Sequence, residues 1–157
     1  MQMCAAAVLG VLQIVVGVVC LVLGPSRTHT RPGDVASLWA AYWLGAVFAA
    51  AGVFTIVSGS CRTVCLSRCS ALGNLLGALF SITGLVLYSL DLAHVSLSWM
   101  CKGDSAPCMT LAAIAQKVLT WVDVCLLLLL LLQLCVNISA VVLSLSLREK
   151  VFLKYPV

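Results

Sequence analysis

Charge is what this chain has least of. Charged residues make up 9% of its 157 positions, nine basic and five acidic, against about a quarter in an ordinary soluble domain. No segment is polar enough to fold as a catalytic domain in water, and no low-complexity tract is present. Catalytic groupings are missing too. There is no Ser/His/Asp, Cys/His or metal-ligand constellation, and His29 and His94 stand in separate loops. No enzyme activity, cofactor, bound metal or nucleic-acid partner is therefore expected. No Lys or Arg precedes the first apolar run and no small-residue cleavage site follows Leu23, which argues against a signal peptide.

What is there instead is apolar sequence, 63% of the chain. It falls into four runs, 4–24, 38–58, 71–91 and 118–143. An α-helix rises 1.5 Å per residue, so roughly 20 apolar residues cross the ~30 Å hydrocarbon core of a bilayer. In lipid each backbone amide must be satisfied within its segment, so the runs are predicted to be helices. The expected fold class is all-α, a four-helix transmembrane bundle forming one domain over 1–157. Three connections join the spans. Pro25 to Ala36 is polar and turn-rich, Ser60 to Ser70 is short and holds three cysteines, and Leu92 to Lys117 is the longest and most polar.

Four spans place both termini and the second connection on one side. That side carries Arg62, Arg68, Arg148, Lys150 and Lys154 with Glu149, and the other carries Arg27, Arg31, Lys102 and Lys117 with Asp34, Asp91, Asp104 and Asp123. The basic residues split five to four, a small bias toward the first side as cytosolic. Trp39, Trp43, Trp99 and Trp121 all fall toward the second side, as an interfacial aromatic belt would. Cys101 and Cys108 lie in the third connection, where a non-cytosolic location permits a disulfide closing a small hairpin. Cys61, Cys65 and Cys69 recur every four residues beside Arg62 and Arg68. On a helix they share a face. Two readings stand equally: reversible acylation of juxtamembrane thiols, or three inert small residues. Zinc fits less well, since no His or fourth thiolate is near. Cys4, Cys20, Cys125 and Cys135 sit in apolar runs and read as packing residues.

Glycines mark the expected helix seams. Gly10, Gly17 and Gly24 repeat every seven residues in the first span, Gly45, Gly52 and Gly59 in the second, and Gly77 and Gly84 in the third, where Gly73 adds a GxxxG with Gly77. Lipid supplies no hydrophobic drive between helices, so close backbone approach carries association, and a seven-residue repeat keeps these residues on one stripe. The fourth span has no glycine. Its run Leu126 to Leu132 suits a lipid-facing or partner-facing surface. Polar residues within the spans are chiefly Gln13, Thr55, Asn74, Ser81, Thr83, Gln133 and Asn137. They read as interhelical glue or, alternatively, as the lining of an ion path, against which stands the lack of a charge near the bilayer centre. Asn137-Ile138-Ser139 matches the glycosylation pattern but lies inside a span.

The first span reads Leu9-Gly10-Val11-Leu12-Gln13-Ile14-Val15-Val16-Gly17, continuing to Leu23-Gly24. This resembles the first span of the membrane-spanning four-domain subfamily A proteins, the B-lymphocyte-antigen-like family, and of the related transmembrane protein 176 group. Trp43 through Gly45 with Ala51-Gly52, then Leu72-Gly73-Asn74, then Leu132-Gln133-Leu134-Cys135 with Ser139, resemble the later spans in order. The paired cysteines of a large outer loop fit as well. The resemblance implies cytosolic termini, an outer third loop, oligomerisation and roles in immune-cell or sensory signalling, with cation flux linked to some relatives. Two features depart from it: the long cytosolic tails common in the family have no counterpart in these residues, and Gln133 stands where many relatives carry Glu. The reading is a non-enzymatic multi-pass membrane protein, a membrane organiser or signalling partner in homo- or hetero-oligomers, in contact with the lipid bilayer. The plasma membrane is the expected location, with endosomal or Golgi membranes as alternatives. A subunit of a cation-permeable channel is the alternative function.

Overall fold

The structure is a computed structural model that describes residues 2–24, 35–61, 63–94, 101 and 106–154. Arg27, His29, Arg31, Asp34, Arg62, Trp99, Lys102 and Asp104, and the side chains of Trp39, His94, Arg148, Glu149, Lys150 and Lys154, lie outside the described residues. The chain is all-α: α1 Gln2–Leu23, α2 Val35–Ser60, α3 Val64–His94 and α4 Ala106–Lys154. Each contains a stretch long and apolar enough to cross a membrane, which makes this an integral membrane protein in contact with lipid.

α1 packs along α2 and α3 along α4, with α2 on α3 and α1 on α4 closing the arrangement. The glycines fix the direction of each pair. Gly10 faces Gly52, Gly17 faces Gly45 and Gly24 faces Ala41. As one number rises the other falls, so α1 and α2 are antiparallel. Gly77 faces Asn137 and Gly84 faces Leu130, so α3 and α4 are antiparallel as well.

Two helices run further than hydropathy alone suggests. The second connection is not an 11-residue turn from Ser60 to Ser70. α2 continues to Ser60, and α3 is already helical at Val64. The Cys61 amide bonds back to Val57 O at 2.9 Å, the Thr63 amide to Cys61 O at 2.8 Å, and the Ser67 amide to Thr63 O at 3.1 Å. Thr63 therefore stands at the N-cap position of α3, where Thr is favoured. The third connection also shrinks, because α4 begins at Ala106 rather than near Val118. Pro107 in the first turn has no N–H to leave unsatisfied, and Ala, Leu, Met, Gln and Lys fill the next turns with strong helix formers. Hydropathy ends where lipid ends, whereas backbone hydrogen bonding can continue into water. At 49 residues, α4 is about 74 Å long and outreaches the ~30 Å hydrocarbon core.

The apolar core gathers Val16 and Cys20 from α1, Leu44 and Phe48 from α2, Tyr88 from α3, and Leu126 and Leu130 from α4. This corrects the lipid-facing reading of Leu126 to Leu132. Leu126 and Leu130 are buried, while Leu128, Leu131 and Leu132 are exposed. With 100° between residues, a continuous leucine run must populate the inner face as well as the outer one. Trp43 and Trp121 are both exposed.

Candidate functional site

Backbone contact between α1 and α2 sets the depth at which their side chains meet. A Cβ added to Gly17 would lie 2.7 Å from Gly45 O and 2.8 Å from Ala49 N, and one added to Gly10 would lie 2.7 Å from Gly52 O. The relation is reciprocal, since Gly45 meets Gly17 O at 2.7 Å and Gly52 meets Gly10 O at 2.6 Å. Only hydrogen fits at these four positions. Gly59 meets the Ala6 methyl at 2.7 Å, and Gly24 is looser, 3.3 Å from Ala41 Cβ. The α3 glycines work differently. Gly77 makes room for the Asn137 amide at 2.9 Å, and Gly84 for Leu130 and Leu44 at 3.0 Å. Gly73 has nothing within 4 Å, so the Gly73–Gly77 motif is not a seam.

Between these contacts lies a polar layer to which every helix contributes. Gln13 of α1, Thr55 of α2, Asn74 and Ser70 of α3, and Gln133 and Asn137 of α4 are all buried, with exposures of 0–3%. Gln13 stands at the middle of α1 and is the hub. Its Nε2 donates to Asn74 Oδ1 and, at 2.7 Å, to Asn137 Oδ1. Its Oε1 accepts from the Thr55 hydroxyl at 3.1 Å. Asn74 Nδ2 closes the ring by donating to Thr55 Oγ1 at 2.9 Å and to Ser70 O at 2.8 Å. Gln133 Nε2 donates to Asn137 Oδ1 at 3.3 Å, one helical turn apart. The layer retains one unused acceptor, Gln133 Oε1, and one unused donor, Asn137 Nδ2.

This arrangement has no ionisable member. Its donors and acceptors are amides and hydroxyls that answer one another across four helices, so its chemistry is mutual recognition, not proton transfer. Ser81 is buried and bonds back to Gly77 O at 2.9 Å. Thr83 is not interhelical glue: it is exposed, and its hydroxyl bonds to Leu79 O of its own helix. The glycosylation pattern at Asn137 is closed off, because that side chain is fully buried. Sequence reasoning missed Asp123. The sequence places it with the charges of the second side, yet its side chain is fully buried in the bundle. The signal was its register, three residues before Leu126 and seven before Leu130, on the face that α4 turns inward.

The cysteines divide by place. Cys101 and Cys108 form a disulfide, with Cα atoms 6.0 Å apart, which ties the third connection to the first turn of α4. Cys61, Cys65 and Cys69 are exposed, the last two on α3. Cys20 is the packing residue expected of it, but Cys4, Cys125 and Cys135 are exposed. They lie on outward-facing registers of their helices. Among the described residues no group of His, Cys, Asp and Glu is arranged to hold a metal.

Set beside known proteins, the family model that matches is the one described as the CD20-like family, over residues 8–145. No curated protein matches the chain.

Proposed function

We propose a function from one premise: the chain belongs to the CD20-like family, the membrane-spanning four-domain family that its spans resemble. It acts as a non-enzymatic organiser or signalling partner in membrane complexes, holding other membrane proteins by its helix faces. The observation that carries this reading is the polar layer. At the depth where a conducting protein needs hydrated groups to replace ion hydration, this chain has Gln13, Asn74, Thr55 and Asn137 bonded to each other and buried. Those groups specify how four helices meet. The outer faces, with exposed Leu75, Leu79 and Val86 on α3 and Leu128, Leu131 and Ile138 on α4, remain for lipid and for partners.

The second reading, a subunit of a cation-permeable channel, draws on Asp123, a carboxylate buried within the bundle, because intramembrane acids commonly mark ion pathways. Two measurements separate the readings. The purified full chain is reconstituted into liposomes and assayed for cation flux, and crosslinking in cells records its neighbours. The organiser reading expects no robust flux and a stable homo- or hetero-oligomer in mild detergent. Reproducible cation current that changes on substitution of Asn74 or Gln133 would overturn it.

A further inference from the structure

At the end of the bundle that holds the α2–α3 turn, a groove of about 290 Å³ between α3 and α4 is lined by Ser67, Arg68, Ala71, Leu72, Ser144 and Leu145. Ser67 Oγ donates to Ser144 O at 3.2 Å and joins the two helices there. Ala71, Leu72 and Leu145 make an apolar wall, and the one charged group in it is Arg68, which is exposed. Arg68 lies six residues from Asn74 of the polar layer, about 9 Å along the helix. It stands in the second turn of α3, where a long side chain reaches the lipid headgroups by extending along the helix.

Two features set the charge of this corner. The first turn of α3 begins here, since the Ser67 amide makes the bond to Thr63 O that opens the helix. The amides before it present the positive end of the helix dipole. The described acids of this helix pair, Asp91 and Asp123, lie toward its opposite end.

We propose that this groove binds an anionic phospholipid of the surrounding bilayer, with Arg68 contacting the headgroup phosphate and Ala71, Leu72 and Leu145 lying against the acyl chains. Basic pockets between membrane helices select such headgroups by charge, while the apolar wall continues the lipid phase. A zwitterionic lipid such as phosphatidylcholine offers the same phosphate but lacks the further negative group, a carboxylate, that phosphatidylserine carries, so the preference is for net negative charge.

Native mass spectrometry of the full chain in mild detergent tests this. The protein is titrated with phosphatidylserine and with phosphatidylcholine of the same acyl chains, and separately with inorganic phosphate as a competitor. The expected result is a first phosphatidylserine adduct favoured about five-fold over phosphatidylcholine, the scale set by one basic residue at a membrane surface. Arg68→Gln should abolish the preference. Lys117→Gln, at the other end of α4, should keep it. Leu72→Trp, which fills the groove without changing charge, should weaken the first adduct of either lipid. Should Arg68→Gln fail to purify, Arg68→Lys must retain the preference while Leu72→Trp loses the adduct. Equal binding of the two lipids, an unchanged preference in Arg68→Gln, or displacement of the lipid by millimolar inorganic phosphate would overturn the proposal.

Discussion

Individual residues here matter by what stands within a few ångströms of them. Gly17 and Gly73 are both helical glycines in apolar spans, and their surroundings predict opposite outcomes. A side chain at Gly17 meets the backbone of Gly45 and Ala49, which cannot rotate away. Gly17→Leu should lower stability by about 1–3 kcal/mol, as overpacking does. Gly73 has open space, so Gly73→Ala should be neutral or should raise stability by roughly 0.5–1 kcal/mol through the cost of glycine in a helix. Thermal denaturation in mild detergent measures both, and equal melting of Gly17→Leu and wild type would refute the seam. Gln13 is a second such case. Gln13→Leu removes three interhelical bonds. Each is worth ~0.6 kcal/mol on average in a membrane, so the loss should be roughly 2 kcal/mol. Thr83→Val should cost close to nothing by the same assay, because that hydroxyl serves only its own helix.

Elements add a directional rule that composition hides. The leucines of α4 look alike in sequence, yet Leu130 is fully buried against Gly84 while Leu128 is exposed. Truncating a lipid-facing leucine lets lipid fill the space, whereas truncating a buried one leaves a cavity. Leu130→Ala should therefore destabilise by about 1–3 kcal/mol, and Leu128→Ala should stay within about 0.5 kcal/mol of wild type. Reversal of that order in detergent melts would place the wrong face of α4 inward. α3 carries its own rule at its start. Because helix begins at Val64, Cys65 and Cys69 are one turn apart on an exposed face beside Arg68, with Cys61 exposed just before the helix. Thiols held at a membrane border in this way suit acylation. Hydroxylamine-sensitive acyl exchange should occur in wild type and vanish when all three become Ser. Its absence from wild type would leave them as inert small residues.

For the molecule as a whole, the open question is orientation. One span, α3, separates the α2–α3 turn from the Cys101–Cys108 disulfide and so puts them on opposite sides, and disulfides persist where the compartment is oxidising. The third connection should accordingly face away from the cytosol. An impermeant thiol reagent applied to intact cells should label neither residue until a reductant is added, and should then label both. Labelling of both without reductant would rule out the bond, and labelling of Cys61 under the same conditions would invert the topology.

Much of this was legible in the chain because a membrane simplifies the problem. Lipid forbids unsatisfied backbone, so apolar length alone determined four helices, and repeats of seven marked Gly10, Gly17, Gly45 and Gly52 as a stripe. The same sequence located Gln13, Asn74, Gln133 and Asn137 inside spans. What it could not state was which of them meet, since residues 61 and 124 positions apart become neighbours only once the two hairpins dock. Tertiary structure alone decided that Gly77 serves Asn137 while Gly73 faces open space, that Leu126 and Leu130 of the leucine run are core, and that Asp123 lies inside the bundle. Periodicity gives a residue's angle on its own helix. Only packing gives that angle a neighbour, because in lipid no hydrophobic contrast separates the buried face from the exposed one.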